Sequence, residues 1–307
     1  LTSSNSSLPP GLFIAFNSAF VSFVFSMTSL SESLIGANIV IPLYQRAKPI
    51  LETLPEYDEN KINPRPLTGS IEVNHLSFRY KEDGPLILQD ISFQINEGDY
   101  VALVGTSGCG KSTLLRVLLG FEKPETGEIY YDGQDLSKID IRAVRRQLGV
   151  VLQNGQLMIG NIFSNIVGAN PYLTTDDAWE AARMAGLEED IKEMPMGMYT
   201  VISEGASTIS GGQKQRLMIA RAIIKKPKIL FFDEATSALD NNTQAIVSKS
   251  LDRLQTTRLI IAHRLSTIIN CNKIIVMDKG KIVETGTYEE LMDNNSIFAD
   301  LARRQLA

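Results

Sequence analysis

Gly105-Thr106-Ser107-Gly108-Cys109-Gly110-Lys111-Ser112-Thr113 follows the apolar run Tyr100-Val101-Ala102-Leu103-Val104 and precedes the leucine-rich run Leu114 to Leu119. The order strand, glycine loop, helix is the setting that a phosphate-binding loop requires. Glycines there let backbone N–H groups converge on a polyphosphate, where a Cβ would block the approach. The start of the following helix adds its partial positive charge. In this reading Gly105, Ser107, Gly108, Cys109, Gly110, Lys111, Ser112 and Thr113 form the phosphate cradle. Lys111 reaches the β- and γ-phosphates and Ser112 is a ligand for Mg²⁺. An ordinary glycine turn does not account for so many matching positions in this context, so the sequence predicts binding of a nucleoside triphosphate.

Two further stretches carry chemistry. Ile229-Leu230-Phe231-Phe232-Asp233-Glu234 is an apolar run that ends in two carboxylates. A buried strand has no use for acids unless its end opens into a site. Asp233 is then expected in the Mg²⁺ shell, and Glu234 is expected to polarise an attacking water. Ile209-Ser210-Gly211-Gly212-Gln213-Lys214-Gln215-Arg216 is a second glycine-bearing loop, set just before the helical run LMIARAII. It too can present N–H groups and a helix start to an anion.

These residues resemble the ATP-binding cassette of ABC transporters, and the resemblance covers Ile71 to the C-terminus. It implies an α/β P-loop NTPase fold: a mixed-sheet core, an antiparallel β part and an α-helical part at about 154–218 that carries the Ser210-Gly211-Gly212-Gln213 signature. It also implies that one ATP lies between the P-loop of one cassette and the signature loop of a second, identical or different. Further positions follow the family's order. Tyr80, after Ser77-Phe78-Arg79, matches the aromatic that stacks on adenine. Gln153, in Val150-Val151-Leu152-Gln153-Asn154, matches the glutamine that contacts Mg²⁺ and the water and couples to the membrane domain. Asp240, in Ser237-Ala238-Leu239-Asp240, matches the loop that crosses the dimer interface, and His263, in Ile261-Ala262-His263-Arg264, matches the histidine at the γ-phosphate. Departures are small: Ile209 stands where the family has leucine, and Cys109 where it more often has serine or glycine. With Glu234 and His263 both present, the resemblance implies a site competent for hydrolysis.

Upstream of the cassette the composition changes. From Leu1 to Gln45 the only side chain charged at neutral pH is Glu32, and Gly11 to Leu30 reads GLFIAFNSAFVSFVFSMTSL. About 20 such residues suffice for a helix to cross a bilayer core. A signal peptide would need a basic n-region and a small-residue cleavage site, which this segment lacks. A buried helix of a soluble protein is the competing reading. Asn17, Ser18, Ser22, Ser26 and Thr28 suit a helix that packs in a bundle or lines a cavity. Pro9-Pro10 marks its start. Cations come only afterwards, at Arg46 and Lys48, which predicts a cytoplasmic C-terminal side. Helical spacing continues from Ser31 to Leu54, where Pro42 and Pro49 are expected to kink or interrupt it. Residues 55–70 read as a polar linker, giving an expected organisation of 1–54, 55–70 and 71–307.

With 44% hydrophobic and 21% charged residues the composition is that of a globular chain, and a net charge of −5 argues against nucleic acid as the main partner. The two cysteines, Cys109 and Cys271, form no disulfide framework. The chain begins with Leu1 and is expected to be a piece of a longer protein.

A membrane helix followed by a cassette resembles the end of an exporter half-transporter, in which an all-α membrane domain precedes the motor. Ser203-Glu204-Gly205 resembles the exporter loop that touches the partner's coupling helices. More narrowly, YYDGQDL, LGVVLQNGQLMIGNI, AWEAARMAGLEEDIKEMPMGMYT and FFDEATSALDNNTQAIV resemble the NHLM-type bacteriocin exporters, most closely the subunit without a peptidase domain. That resemblance implies a cell-membrane protein with its cassette in the cytoplasm, ATP and Mg²⁺ as cofactors, a second cassette subunit as partner, and a peptide as cargo. A lipid or drug exporter with the same engine and a soluble ABC-type ATPase are the alternatives.

Overall fold

The computed structural model describes residues 9–53, 56, 61–203, 209–233, 241–262, 264–293 and 297–306. The chain forms two compact units, Leu1–Asp58 and Glu59–Ala307.

Among the described residues, the first unit holds one long helix, α1 (Pro10–Glu52). Pro9 is its N-cap and Pro10 its first residue, a position where proline's missing N–H costs nothing and its fixed φ helps. The helix runs on through Pro42 and Pro49. The expected interruption is therefore absent: each ring removes one donor, and the bonds of neighbouring turns carry the helix across. Three of its hydroxyls bond back to the helix's own carbonyls. Ser26 Oγ donates to the Ser22 carbonyl at 2.9 Å, Thr28 Oγ1 to that of Val24 at 2.9 Å and Ser33 Oγ to that of Ser29 at 2.9 Å. Folded back in this way they shed much of the penalty that apolar surroundings impose on a free hydroxyl. No residue of α1 is buried, and its best 18-residue window has a mean hydropathy of 1.6. By length and composition it can cross a membrane.

The second unit opens with β1 (Ile71–Phe78), β2 (Leu88–Ile95), β3 (Tyr100–Gly105), α2 (Lys111–Leu118), β4 (Thr126–Tyr131), β5 (Gln134–Asp135), α3 (Ile141–Arg145) and β6 (Leu148–Val151). Then come β7 (Gly160–Asn161), α4 (Ile162–Val167), α5 (Thr175–Met184), α6 (Glu188–Glu193), β8 (Val201–Ile202) and α7 (Gly211–Ile223). The chain closes with β9 (Ile229–Asp233), α8 (Asn241–Arg253), β10 (Thr257–Ile261), α9 (Leu265–Ile268), β11 (Lys273–Asp278), β12 (Lys281–Gly286), α10 (Tyr288–Asp293) and α11 (Ile297–Leu306).

The strands form a sheet in the order β12-β11-β3-β10-β9-β6, a second in the order β2-β1-β4-β5, and the pair β7-β8. In the first sheet β11, β3, β10, β9 and β6 are parallel and β12 is antiparallel at the edge. The second is antiparallel throughout. Period-two alternation sorts the central strands between two cores. Val101, Leu103, Phe231, Leu259 and Ile275 pack on one face with α2 and the antiparallel sheet. Ala102, Val104, Leu230, Phe232 and Ile260 pack on the other with α4, α5, α7 and α11. All five residues of β9 and of β10 are buried, which is why their sequences read as unbroken apolar runs with few exceptions.

Two differences from the sequence reading bear on the site. Asn165 to Glu193, which is helical in sequence pattern with AWEAARMAG at its centre, is three helices, broken after Gly168 (φ 64°) and at Gly186 (φ 68°). Glycine takes up left-handed conformations that end a helical turn. The stretch 61–70, expected as a linker, is tied down. Ile62 bridges to Ile139, and Asp132 accepts the N–H groups of Thr68 at 2.6 Å and Ser70 at 2.7 Å.

Candidate functional site

Parallel strands collect their C-terminal ends at one edge of a sheet, and ligands bind there in open α/β folds. Register places the ends of β3, β10, β9 and β6 side by side: Leu103 lies beside Ile261, Ile261 beside Asp233, and Phe232 beside Val151. The segments that follow carry the 105–113 loop, His263, Glu234 and Gln153 respectively. Glu234, Asp240 and His263 lie outside the described residues, as do Glu204 and Gly205. Gln153 is described and exposed, two residues beyond β6. Asp233 is 7% exposed at the very end of β9.

The loop after β3 is fixed by its backbone. Gly105 has φ 153°, and a Cβ there would run into the carbonyl oxygen of Met277 on neighbouring β11. Gly110 caps α2 with φ 109°, another conformation that a side chain resists. The first N–H groups of α2, at Lys111, Ser112 and Thr113, have no partner within the helix. Lys111 is buried, at 6% exposure, and its Nζ donates to the carbonyls of Gly105 at 2.9 Å and Thr106 at 3.0 Å. The ammonium thus sits at the centre of the loop. Cys109 is buried beneath it, Sγ 3.7 Å from Nζ, so its thiol packs behind the cradle rather than in it. Ser107 and Ser112 are exposed. Tyr80 reaches the same place from the antiparallel sheet. Its Oη is 3.3 Å from Thr113 Oγ1, its ring is edge-on to Phe78 at 4.9 Å, and 54% of it stays exposed.

The second glycine loop is held by side chains. Ser210 is the N-cap of α7, and with Gln213 it forms a capping box. Ser210 Oγ accepts from the Gln213 N–H at 3.2 Å, and Gln213 Oε1 accepts from the Ser210 N–H at 3.0 Å. Gln213 Nε2 donates to Asp190 Oδ1 on α6 at 2.8 Å, and Arg216 donates to both oxygens of Asp190. Gly211 has open space around its α-carbon, and neither it nor Gly212 takes a left-handed φ. Among the described residues, Ser210 and Gln213 bond to each other, and Gln213 bonds onward to Asp190 of α6.

A third set of bonds links the segment after Gln153 to α7. Arg221 donates to the carbonyls of Asn165 at 2.6 Å and Gln156 at 3.2 Å, and its Nη2 donates to Asn165 Oδ1. Burial pushes the Arg221 guanidinium below its ordinary value. Asn165, fully buried, accepts from the Met158 N–H and donates to the Met158 carbonyl, each at 2.8 Å. Lys214 Nζ donates to Gln156 Oε1 at 3.0 Å. The sequence reading did not single out Asp190, Asn165, Arg216 or Arg221. The Ser-x-x-Gln spacing signals the capping box, but nothing local signals its partner across 23 positions.

The family model described as "ABC transporter" matches residues 88–237. The alpha-hemolysin translocation ATP-binding protein HlyB of Escherichia coli O157:H7 is 47% identical over 242 residues, 78% of this chain and 34% of the relative. The leukotoxin translocation ATP-binding protein LktB of Mannheimia haemolytica is 41% identical over 260 residues, 84% of this chain and 37% of the relative. The chain thus spans about a third of the length of the curated relatives it matches. A solved structure of a bacterial Atm1-family ABC exporter with ATP bound superposes with a TM-score of 0.82 at 34% identity, over 87% of this chain and 47% of that one.

Proposed function

We propose that this chain, which carries the ATP-binding domain of an ABC transporter, is the motor end of an exporter subunit whose cargo is a peptide or small protein. The observation that carries the reading is the edge where β3, β10, β9 and β6 end together, with the Gly105–Thr113 cradle after β3 and Asp233 at the end of β9, the two strands being separated by β10 alone. The toxin translocation named for both relatives supports a polypeptide cargo, and the resemblance to NHLM-type exporters narrows it to a bacteriocin-type peptide.

Each residue then has a role. The N–H groups of 108–113 and the Lys111 ammonium bind the phosphates, and Tyr80 offers its exposed ring to the base. A buried carboxylate at a strand end and an exposed hydroxyl at a helix start suit Mg²⁺, which takes one or two carboxylates and fills its shell with other oxygens, from phosphates and waters above all. Asp233, Ser112 and Gln153 would hold it, and it would supply charge neutralisation between the phosphates. Glu234 takes the proton of the attacking water, and His263 donates to the γ-phosphate. Ser210, Gly211, Gly212 and Gln213 face the nucleotide of a second cassette, and Asp240 lies at the contact between the two. The segment after Gln153 is bonded to α7 through Asn165 and Arg221, so movement of the signature helix on closure is passed to the surface around Gln153. Helix α1 anchors the motor to the membrane, with its C-terminal end in the cytoplasm.

The test is the ATPase rate of the full-length parent protein in lipid, with and without precursor peptides encoded beside its gene. Stimulation by one peptide, lost in Glu234→Gln, is expected. Stimulation by lipids or small amphiphiles alone would move the cargo to those classes.

A further inference from the structure

We propose that Asp190 is a positioning residue for the signature loop, setting the orientation of the Gln213 amide and through it the N-cap of α7. The proposal rests on the reading of Ser210–Gln213 as the surface that meets the nucleotide of a second cassette.

An amide side chain can be turned either way, presenting a donor or an acceptor to a given neighbour. An ionised carboxylate accepts only, so Asp190 compels Gln213 to point Nε2 toward it, and the contact is 2.8 Å. That choice leaves Gln213 Oε1 facing the Ser210 N–H, which donates to it at 3.0 Å. The reverse orientation would set the Gln213 carbonyl against a carboxylate and its NH₂ against an N–H, losing both bonds. The charge on Asp190 thereby selects the capping box and fixes the backbone of Ser210.

The acid is itself braced. Arg216 Nη1 donates to Asp190 Oδ2 at 2.8 Å and Nη2 to Oδ1 at 3.2 Å. Nη1 also donates to the Gly186 carbonyl at 2.5 Å, and Nε reaches the Gly212 carbonyl at 3.4 Å. The Arg216 side chain is 15% exposed and that of Asp190 26%, so the pair is only partly screened. One carboxylate on α6 therefore ties together three positions of the signature segment: Gln213 directly, Ser210 through Gln213, and Gly212 through Arg216. In the absence of Asp190 the N–H groups at the start of α7 lose their fixed direction. The second-cassette half of the nucleotide site is then no longer preorganised, while the 105–113 loop is untouched.

The experiment exchanges acid and amide in the full-length parent protein in lipid. Gln213→Glu alone sets two carboxylates face to face and should raise the KM for ATP about tenfold or more, the size expected from losing a hydrogen bond to a charged group. Adding Asp190→Asn supplies an NH₂ donor to the new acid, whose second oxygen can still accept from the Ser210 N–H. The double variant should return KM to within about threefold of wild type. Binding of fluorescent ADP, which uses the 105–113 loop, reads folding in every variant and should stay unchanged. If Asp190 served only as the ion-pair partner of Arg216, Asp190→Asn would make Gln213→Glu worse, and that result overturns the proposal. So would Asp190→Ala with a wild-type KM. A Lys111→Ala protein that still hydrolysed ATP would instead refute the functional reading itself, whatever the Asp190 variants did.

Discussion

The two glycine loops of the cassette, 105–110 and 210–212, are shaped by different means. The first is set by backbone and core: Gly105 lies against the Met277 carbonyl, Gly110 caps α2, and Cys109 and Lys111 are buried. The second is set by polar side chains with partial exposure, Ser210, Gln213, Asp190 and Arg216. A loop that must grip a nucleotide by itself benefits from rigid geometry that no side-chain rotation can undo. A loop that meets its ligand only when two cassettes close can be held by bonds that respond to their surroundings.

Chemistry gives the largest effect. Glu234→Gln should lower the hydrolysis rate by about 10²–10⁴-fold, the usual worth of a positioned general base, while leaving ATP affinity intact. Lys111→Ala should lose about 10²-fold or more in turnover and bind ATP weakly, because it removes the charge at the loop's centre. A nucleotide titration beside a steady-state ATPase assay separates the two. Unchanged affinity and turnover in Lys111→Ala would undo the cradle, and a near-wild-type rate in Glu234→Gln would undo the base.

Gly105→Ala tests the rigid loop. The added methyl meets a backbone oxygen at a φ of 153°, so neither partner can yield cheaply. A cost of about 2–3 kcal/mol is expected, which lowers the melting temperature of a unit this size by roughly 4–12 °C. Ser210→Ala tests the polar loop. It removes an N-cap at an exposed helix start, worth about 1 kcal/mol, and should lower the melting temperature by only about 2–4 °C. It should instead raise the KM for ATP, because in the proposed function only a closed pair of cassettes uses that cap. Equal melting shifts in the two variants would erase the contrast.

The same contrast explains what could be read from the sequence. The cradle was legible because strand, glycines, Lys111 and helix are contiguous, and because β9 and β10 alternate between two cores and so are mainly apolar, with Asp233, Thr257 and Arg258 as the exceptions. The Ser210 capping box was legible in principle from spacing. Asp190 was not, since its partner lies 23 positions away and an acid in α6 looks like any solvated charge. Gly168 and Gly186 were available as breaks in the helical pattern, yet the apolar spacing on both sides of them overrode that signal. Pro42 and Pro49 misled in the opposite direction, since a helix as long as α1 tolerates a missing donor. The fastening of 61–70 was hidden because it depends on Asp132, Gln134 and Gln147, more than sixty positions further along.

That fastening supplies the smallest effect and a third way of holding chain. Asp132, with φ 49°, accepts from the N–H groups of Thr68, Gly69 and Ser70 and from the hydroxyls of Thr68 and Ser70. Partial burial pushes its carboxyl up, but these bonds outweigh it and leave the group below its ordinary 3.8. A carboxylate depressed in the folded state contributes stability above its unfolded value and loses it as pH falls through the folded one. Amide protection of Thr68 and Ser70 in hydrogen exchange should therefore persist at pH 5 and fade below about pH 3.8. Asp132→Asn, which keeps an acceptor but not the charge, should weaken that protection at every pH. Neither change should disturb the 105–113 loop, whose geometry uses no titrating acid among its described bonds. If protection of 68–70 were lost together with that of α2, the strap and the cradle would be one cooperative piece, and the division between backbone-held and charge-held segments would fail where it is easiest to measure.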